Sequence, residues 1–196
     1  ISLKDVEISN KLNFRIKLLG ISEIVDGKLF ERVHPCLVNK DSYIGNVNGV
    51  MNAVITEGEP VGESVLQGEG AGPGPTSSAL MSDLLSILRG NIKFPFGIPN
   101  IKRKSIKVFN YDNYINSLYL RFEVKDKPGV LAQITNRLAL KNISVERLIQ
   151  IPNYKNKTAS IVIITHKSKE LDAQHCINAI SKSKNILKYP TLIRLL

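Results

Sequence analysis

Leu118-Tyr-Leu-Arg-Phe-Glu-Val-Lys-Asp-Lys-Pro-Gly-Val-Leu131 is the stretch whose reading decides the fold. Leu118, Leu120, Phe122 and Val124 alternate with Tyr119, Arg121 and Glu123, the period of a half-buried strand. Asp126-Lys-Pro-Gly129 turns the chain into Val130–Leu140, where Leu131, Ile134 and Leu138 recur at helical spacing. Further on, Ile143–Ile151 and Ala159–Thr165 predict two strands around a Lys155-Asn-Lys157 turn. Leu171, Ala173, Ile177 and Ile180 predict a second helix, and Ile186–Leu196 a last strand, with Pro190 at a sheet edge or a local break. The order β-α-β-β-α-β is the split-βαβ pattern of a ferredoxin-like sandwich.

Upstream the texture differs. Ser2-Leu-Lys-Asp5 reads as a capping box with Ile1 and Val6 as its hydrophobic staple, opening a helix that ends near Leu12. Phe14–Leu18 and Leu29–Val33 alternate around Asp26-Gly27, a strong hairpin signal, and His34-Pro35 directs the second strand toward an edge. Gly49–Ile55 is an apolar strand interrupted by Asn52, and Val61–Gln67 is its neighbour across the Glu57-Gly-Glu-Pro60 turn. Then comes Gly68-Glu-Gly-Ala-Gly-Pro-Gly-Pro-Thr76, glycine at every second position, leading into Ser77–Arg89 with Leu80, Leu84, Ile87 and Leu88 on one face. A loop emptied of side chains and aimed at a helix N-terminus suits backbone-level contact with a ligand. It is not a dinucleotide fingerprint, because Pro73 or Pro75 falls where the third glycine of G-x-G-x-x-G belongs. A sheet with one helix at each end needs a second covering layer, from a further segment or a partner subunit. Residues 91–116, punctuated by Pro95, Gly97 and Pro99 and carrying Lys102-Arg-Lys-Ser-Ile-Lys107, read as a linker or a strap on a neighbouring surface.

The 196 residues are 43% hydrophobic, enough for a real core. No uncharged apolar run of about 18 residues is present and no secretion signal opens the chain, so a cytoplasmic setting without membrane contact is expected. The first residue is Ile1 rather than Met, as expected of a piece of a longer chain. The net charge of +10 is uneven: residues 1–89 carry 8 Lys/Arg against 11 Asp/Glu, whereas residues 117–196 carry 14 against 5. The lysines are dispersed, without interleaved stacking aromatics, so a solvated basic face is expected rather than nucleic-acid binding. Cys36 and Cys176 form no CxxC pair and His34, His166 and His175 are scattered, so neither disulfides nor a metal site are expected.

Physically, Asp126-Lys-Pro-Gly-Val-Leu131 joins a strand end to a helix start, where free N–H groups and the helix dipole suit a carboxylate. Asp126 is either a helix N-cap or an acceptor for an ammonium group. Tyr119–Thr135, followed by Asn142-Ile-Ser-Val-Glu146 and Ile149-Gln150, resembles an ACT domain, a βαββαβ module that commonly binds amino acids and pairs side by side with a second copy. That resemblance implies an effector site between Asp126, Gly129, Val130 and Leu131 of one copy and Asn142, Ile143 and Ser144 of its partner.

Four earlier blocks, Phe14–Gly20, Arg32-Val-His-Pro35, Val47–Val54 and Gly70–Ala79, resemble the homoserine dehydrogenase family in that order. The resemblance implies hydride transfer between NAD(P)H and L-aspartate 4-semialdehyde, giving L-homoserine, in a homo-oligomer. It implies that the nucleotide-binding half and catalytic lysine precede Ile1, leaving no catalytic residue in this segment. Gly70, Ala71, Gly72 and Thr76 would close over the nicotinamide end of the cofactor, with Gly72 the contacting glycine. Where many relatives have His-Pro-Leu-Ala, this chain has Ser42-Tyr-Ile-Gly45. The fold class expected is α+β: a mixed, mainly antiparallel sheet region with covering helices over 1–90, a linker over 91–116, and a ferredoxin-like βαββαβ ACT domain over 117–196. A second reading of the same residues is a non-catalytic amino-acid-binding regulatory protein.

Overall fold

The computed structural model describes residues 1–91 and 97–196; the expected punctuation at Pro95 lies outside them. The chain forms two compact units, residues 1–39 with 107–196, and residues 40–106.

In the first unit, α1 (Leu3–Lys11) opens on the expected capping box, the Asp5 carboxylate accepting from the Ser2 N–H at 2.7 Å. β1 (Phe14–Val25) and β2 (Lys28–Asn39) form a long antiparallel hairpin. Its turn holds Asp26 and Gly27, both at positive φ, as a tight two-residue hairpin requires.

β6 (Leu118–Lys125), α4 (Val130–Ala139), β7 (Val145–Asn153), β8 (Thr158–Thr165), α5 (Glu170–Ser181) and β10 (Thr191–Leu195) follow the predicted order. Two-residue strands β5 (Ile115–Asn116) and β9 (Ser168–Lys169) pair beside them.

A single six-stranded sheet runs β1-β2-β10-β6-β8-β7, all antiparallel except β2 with β10. β10 begins only after Pro190 and lies in the sheet interior, so the proline ends no edge strand. β2 is interior too, and its ladder with β10 starts at Cys36, one residue beyond Pro35, which has no N–H to give.

β6 is not half-buried but covered on both faces. Leu118, Leu120, Phe122 and Val124 pack with Ile134 and Leu138 of α4 and Ile177 and Ile180 of α5. Tyr119 joins Ile8, Leu37, Val162 and Ile193 on the other face. That second face is covered because the amino-terminal helix is recruited to it, which strand periodicity alone does not reveal.

Residues 107–116, the end of the 91–116 stretch expected as a linker or a strap, pack on β2. Leu29 and residues 107–109 exchange backbone hydrogen bonds of 2.8 Å, and Phe109, Tyr111 and Tyr114 set their rings around Phe30 at 4.7 to 5.7 Å. Three rings packed on Phe30 hold this stretch to β2.

The second unit holds the one-turn helix α2 (Tyr43–Asn46), the antiparallel hairpin β3 (Met51–Gly58) and β4 (Gly62–Glu69), and α3 (Pro73–Leu88). α3 starts four residues before the expected Ser77, since Pro73 sits at the first helical position, where its missing N–H costs nothing. Among the described residues this unit holds no buried apolar side chain. Leu80, Leu84, Ile87 and Leu88, the predicted inner face of α3, are between 48% and 73% exposed. A two-stranded hairpin and one helix bury too little to be stable alone.

Candidate functional site

The glycine hinge lies between β4 and α3. Gly70 donates its N–H to Val50 O at 2.9 Å, carrying the ladder one step past β4. Gly72 caps α3 at φ +117°, ψ +158°, a conformation closed to side-chain-bearing residues, so glycine is required there. A Cβ at Gly68 or Gly74 would meet nothing within 4 Å, leaving bare backbone open to an approaching group.

The hinge is poorly equipped for phosphate. Pro73 and Pro75 remove two of the first four helix N–H donors, and Thr76 N–H is taken by Gly72 O at 3.2 Å. The N–H groups of Gly72 and Gly74 are left, and the single charged residue from 68 to 76 is Glu69. A flat, neutral group fits this surface; a pyrophosphate does not. Gly70, Ala71, Gly72 and Thr76 thus lie together in one neutral hinge at the start of α3.

A second candidate surrounds the β6–α4 turn. An open pocket of about 410 Å³ is lined by Val124 to Leu131 with Gln150 and Ile161. Asp126 is not the N-cap of α4; Gly129, at φ +84°, holds that position without a side-chain cap. The Asp126 carboxylate instead accepts from Gln150 Nε2 at 3.4 Å, and its N–H donates to Lys157 O. One face of the pocket thus offers a carboxylate and the other the first turn of α4, the pairing a zwitterion needs.

Asn142, Ile143 and Ser144 do not line this pocket. They follow the far end of α4, where Asn142 at φ +54° and the Ile143 N–H, bonded to Leu138 O at 3.0 Å, terminate the helix. Ten helical residues span about 15 Å, so one copy of the chain does not bring the two halves of the predicted effector site together.

Sequence reasoning missed two buried ionic clusters. Asp5, fully buried, takes Arg121 Nε at 2.5 Å and Nη2 at 3.0 Å, and the Tyr119 hydroxyl donates to it at 3.2 Å. Arg121 also pairs with Glu123, which accepts from Lys4 Nζ at 3.2 Å. Burial alone would raise the Asp5 pKa, but hydrogen bonds from Arg121 and Ser2 outweigh it and bring it down to about 2. An open pocket of about 570 Å³ lies over this cluster, and its Lys4 and Arg121 are already paired with carboxylates.

In the second cluster, buried Glu170 accepts from Arg194 Nη2 at 2.5 Å, Asn116 Nδ2 at 3.0 Å and Gln174 Nε2 at 2.9 Å. These donors outweigh the desolvation that would raise its pKa and hold it below the ordinary glutamate value. Nearby, Arg32 lies over the Phe30 and Tyr114 rings at 4.4 and 4.6 Å and pairs with Glu23 at 2.7 Å. His34 Nδ1 lies 3.1 Å from Pro35 O and 3.2 Å from Cys36 Sγ, and burial lowers the His34 pKa and raises that of Cys36. Among the described residues no cluster of His, Cys, Asp and Glu is arranged to hold a metal ion, and no helix is long and apolar enough to cross a membrane.

Comparison with known proteins divides along the same line. Residues 1–85 match the family model of homoserine dehydrogenase, and residues 118–184 match the ACT domain. The chain carries a homoserine dehydrogenase segment followed by an ACT domain. The homoserine dehydrogenase of Neisseria gonorrhoeae is 36% identical over 98% of this chain and 46% of its own length. That of Synechocystis sp. is 32% identical over 100% of the chain and 47% of its own length. A crystal structure of a homoserine dehydrogenase from Thiobacillus denitrificans superposes with a TM-score of 0.86 at 31% identity, covering 100% of this chain and 46% of that one. The chain spans about half the length of the curated relatives it matches. In the homoserine dehydrogenase segment, the departure at Ser42-Tyr-Ile-Gly45 has a local role: Ser42 Oγ caps α2, accepting from Gly45 N–H at 3.0 Å.

Proposed function

We propose that this chain is the substrate-side and regulatory part of an NAD(P)-dependent homoserine dehydrogenase. The reaction moves a hydride from NAD(P)H to the aldehyde carbon of L-aspartate 4-semialdehyde, and a proton to its oxygen, giving the alcohol of L-homoserine. The observation that carries the reading is the superposition on a solved homoserine dehydrogenase over the whole of this chain.

In this reading residues 1–90 supply the catalytic and dimerisation region, 91–116 the linker, and 117–196 the regulatory domain. These functional boundaries differ from the compact units because the β1–β2 hairpin shares a sheet with the regulatory strands. Gly70, Ala71, Gly72 and Thr76 meet the nicotinamide end of a cofactor held mainly by a preceding nucleotide-binding domain. The bound cofactor supplies the hydride; the hinge contributes bare backbone that lets the ring approach. The uncovered apolar face of α3 and the absence of a core around it, among the described residues, support a covering layer from that domain or a partner subunit.

Within a cytoplasmic homo-oligomer, Asp126, Gly129, Val130 and Leu131 of one copy, with Asn142, Ile143 and Ser144 of a second, hold an amino-acid effector that feeds back on threonine, methionine and isoleucine synthesis. The test is a spectrophotometric assay with NADPH and aspartate semialdehyde. The full-length protein is expected to turn over, and residues 1–196 alone are expected not to. Robust turnover by residues 1–196 refutes the division of labour, and no turnover by the full-length protein refutes the activity.

A further inference from the structure

The hairpin face that carries Asn52 carries two vacancies beside it. Gly68 lies directly opposite Asn52 in the β3–β4 register, and Gly70 continues the same face one pleat further on. At Gly68 a Cβ would point into open space. At Gly70 a Cβ would stand 1.7 Å from Asn52 Nδ2 and 2.4 Å from its Cγ, so the Asn52 carboxamide occupies the volume of a side chain there.

Gly70 does not have a positive φ. Glycine at this position gives room to the Asn52 amide, and the backbone conformation does not demand it. The carboxamide is exposed and, among the described residues, makes no hydrogen bond. Its neighbours on this face, Val54 and Leu66, are apolar and exposed. A single amide, seated against bare backbone at the mouth of the hinge, presents two N–H donors and a carbonyl acceptor beside the apolar Val54 and Leu66. That is the complement of a planar group bearing a carboxamide.

We propose that Asn52 recognises the carboxamide of the nicotinamide ring, with Gly68 and Gly70 making the room; this rests on the reading of the Gly70–Gly72 hinge as cofactor-facing. The strand interruption at Asn52 is then a recognition group and not an accident of composition.

The test is calorimetric titration of the full-length protein, without substrate. Three probes are used: NAD(P)H, its adenosine-end fragment (2′,5′-ADP or ADP-ribose), and the 3-acetylpyridine analogue, whose acetyl group lacks the amide N–H. Wild type is expected to favour NAD(P)H over the analogue. Asn52→Ala is expected to weaken NAD(P)H binding about 3- to 10-fold, the range of one or two lost hydrogen bonds, to erase that preference, and to leave the adenosine-end fragment unchanged. Asn52→Asp, which keeps the shape and seat on Gly70 but exchanges the N–H for an oxygen, is expected to lose at least as much. Unchanged NAD(P)H binding by both variants overturns the role of Asn52 while leaving the dehydrogenase reading intact. Equal loss of NAD(P)H and of the adenosine fragment overturns it too, since the effect is then general. A wild-type protein that binds none of the probes sinks the dehydrogenase reading itself.

Discussion

Replacing Asp5 by Asn probes the link between the amino-terminal helix and the regulatory strand. Asp5 is fully buried and receives Arg121, Tyr119 and both polar groups of Ser2. Asn keeps the shape but removes the charge, leaving the buried Arg121 guanidinium with Glu123 as its remaining carboxylate. Breaking a buried pair by removing one partner costs about 3 to 5 kcal/mol, and the surviving Glu123 contact places this case near the lower end, about 3 kcal/mol.

The pH dependence supplies a second reading of the same interaction. The Asp5 pKa falls from 3.8 to about 2. Each unit corresponds to about 1.4 kcal/mol, so the depressed value stores about 2.5 kcal/mol of stability. A carboxylate depressed on folding contributes above its unfolded pKa, and that contribution drains away as pH falls through the folded value. The gap between wild type and Asp5→Asn is therefore expected to be full at pH 7, to narrow below about pH 4, and nearly to close near pH 2. Urea unfolding followed by far-ultraviolet circular dichroism, repeated from pH 7 to pH 2, measures it. Asp5→Asn with Arg121→Met should cost less than Asp5→Asn alone, because no charge is then left stranded. A single-variant cost below about 1 kcal/mol at pH 7, or a gap that does not change with pH, refutes the reasoning.

Two further outcomes follow from the two candidate sites. Gly70→Ala places a methyl where the exposed Asn52 carboxamide sits and turns it aside, so thermal unfolding of the full-length protein is expected to change by no more than about 0.5 kcal/mol while NAD(P)H binding weakens as in Asn52→Ala; unchanged binding refutes the seat on Gly70. Asp126→Ala is expected to abolish the calorimetric response of wild type to whichever of threonine, methionine, isoleucine or lysine it binds, with unfolding unchanged; retained binding removes Asp126 from the site.

Most elements were legible in the sequence because each is announced locally. The capping box, the Asp26-Gly27 turn and the alternation of β6 depend on residues within a few positions of one another. What was hidden is long-range. Nothing near Pro190 says that β10 will slot between β6 and β2, and Arg121 reads as an outward charge until Asp5, more than a hundred residues earlier, arrives to neutralise it. Asn52 read as a flaw in an apolar strand because its meaning lies in the two missing side chains of the neighbouring strand. The sequence reads the glycine hinge as a loop suited to a ligand, and its poor fit to phosphate becomes concrete only once Pro73 and Pro75 are placed in the first turn of α3.

Strand β6 makes the two halves of the chain interdependent. One of its faces fills the apolar cluster under α4 and α5, and its end, from Val124, enters the pocket at Asp126. The other face carries Tyr119, Arg121 and Glu123, which hold α1 through Asp5 and Lys4. Side chains alternate strictly across a strand, so a slip of one residue would exchange the faces, sending Arg121 into the apolar cluster and Phe122 against the Asp5 carboxylate. The ionic cluster therefore fixes the register of β6, and with it the position of the turn whose carboxylate and helix start form the pocket. A residue pair that looks remote from any ligand is in this way a condition for the geometry of the site, and the α1–β6 link is where the homoserine dehydrogenase segment and the ACT domain become one folded object.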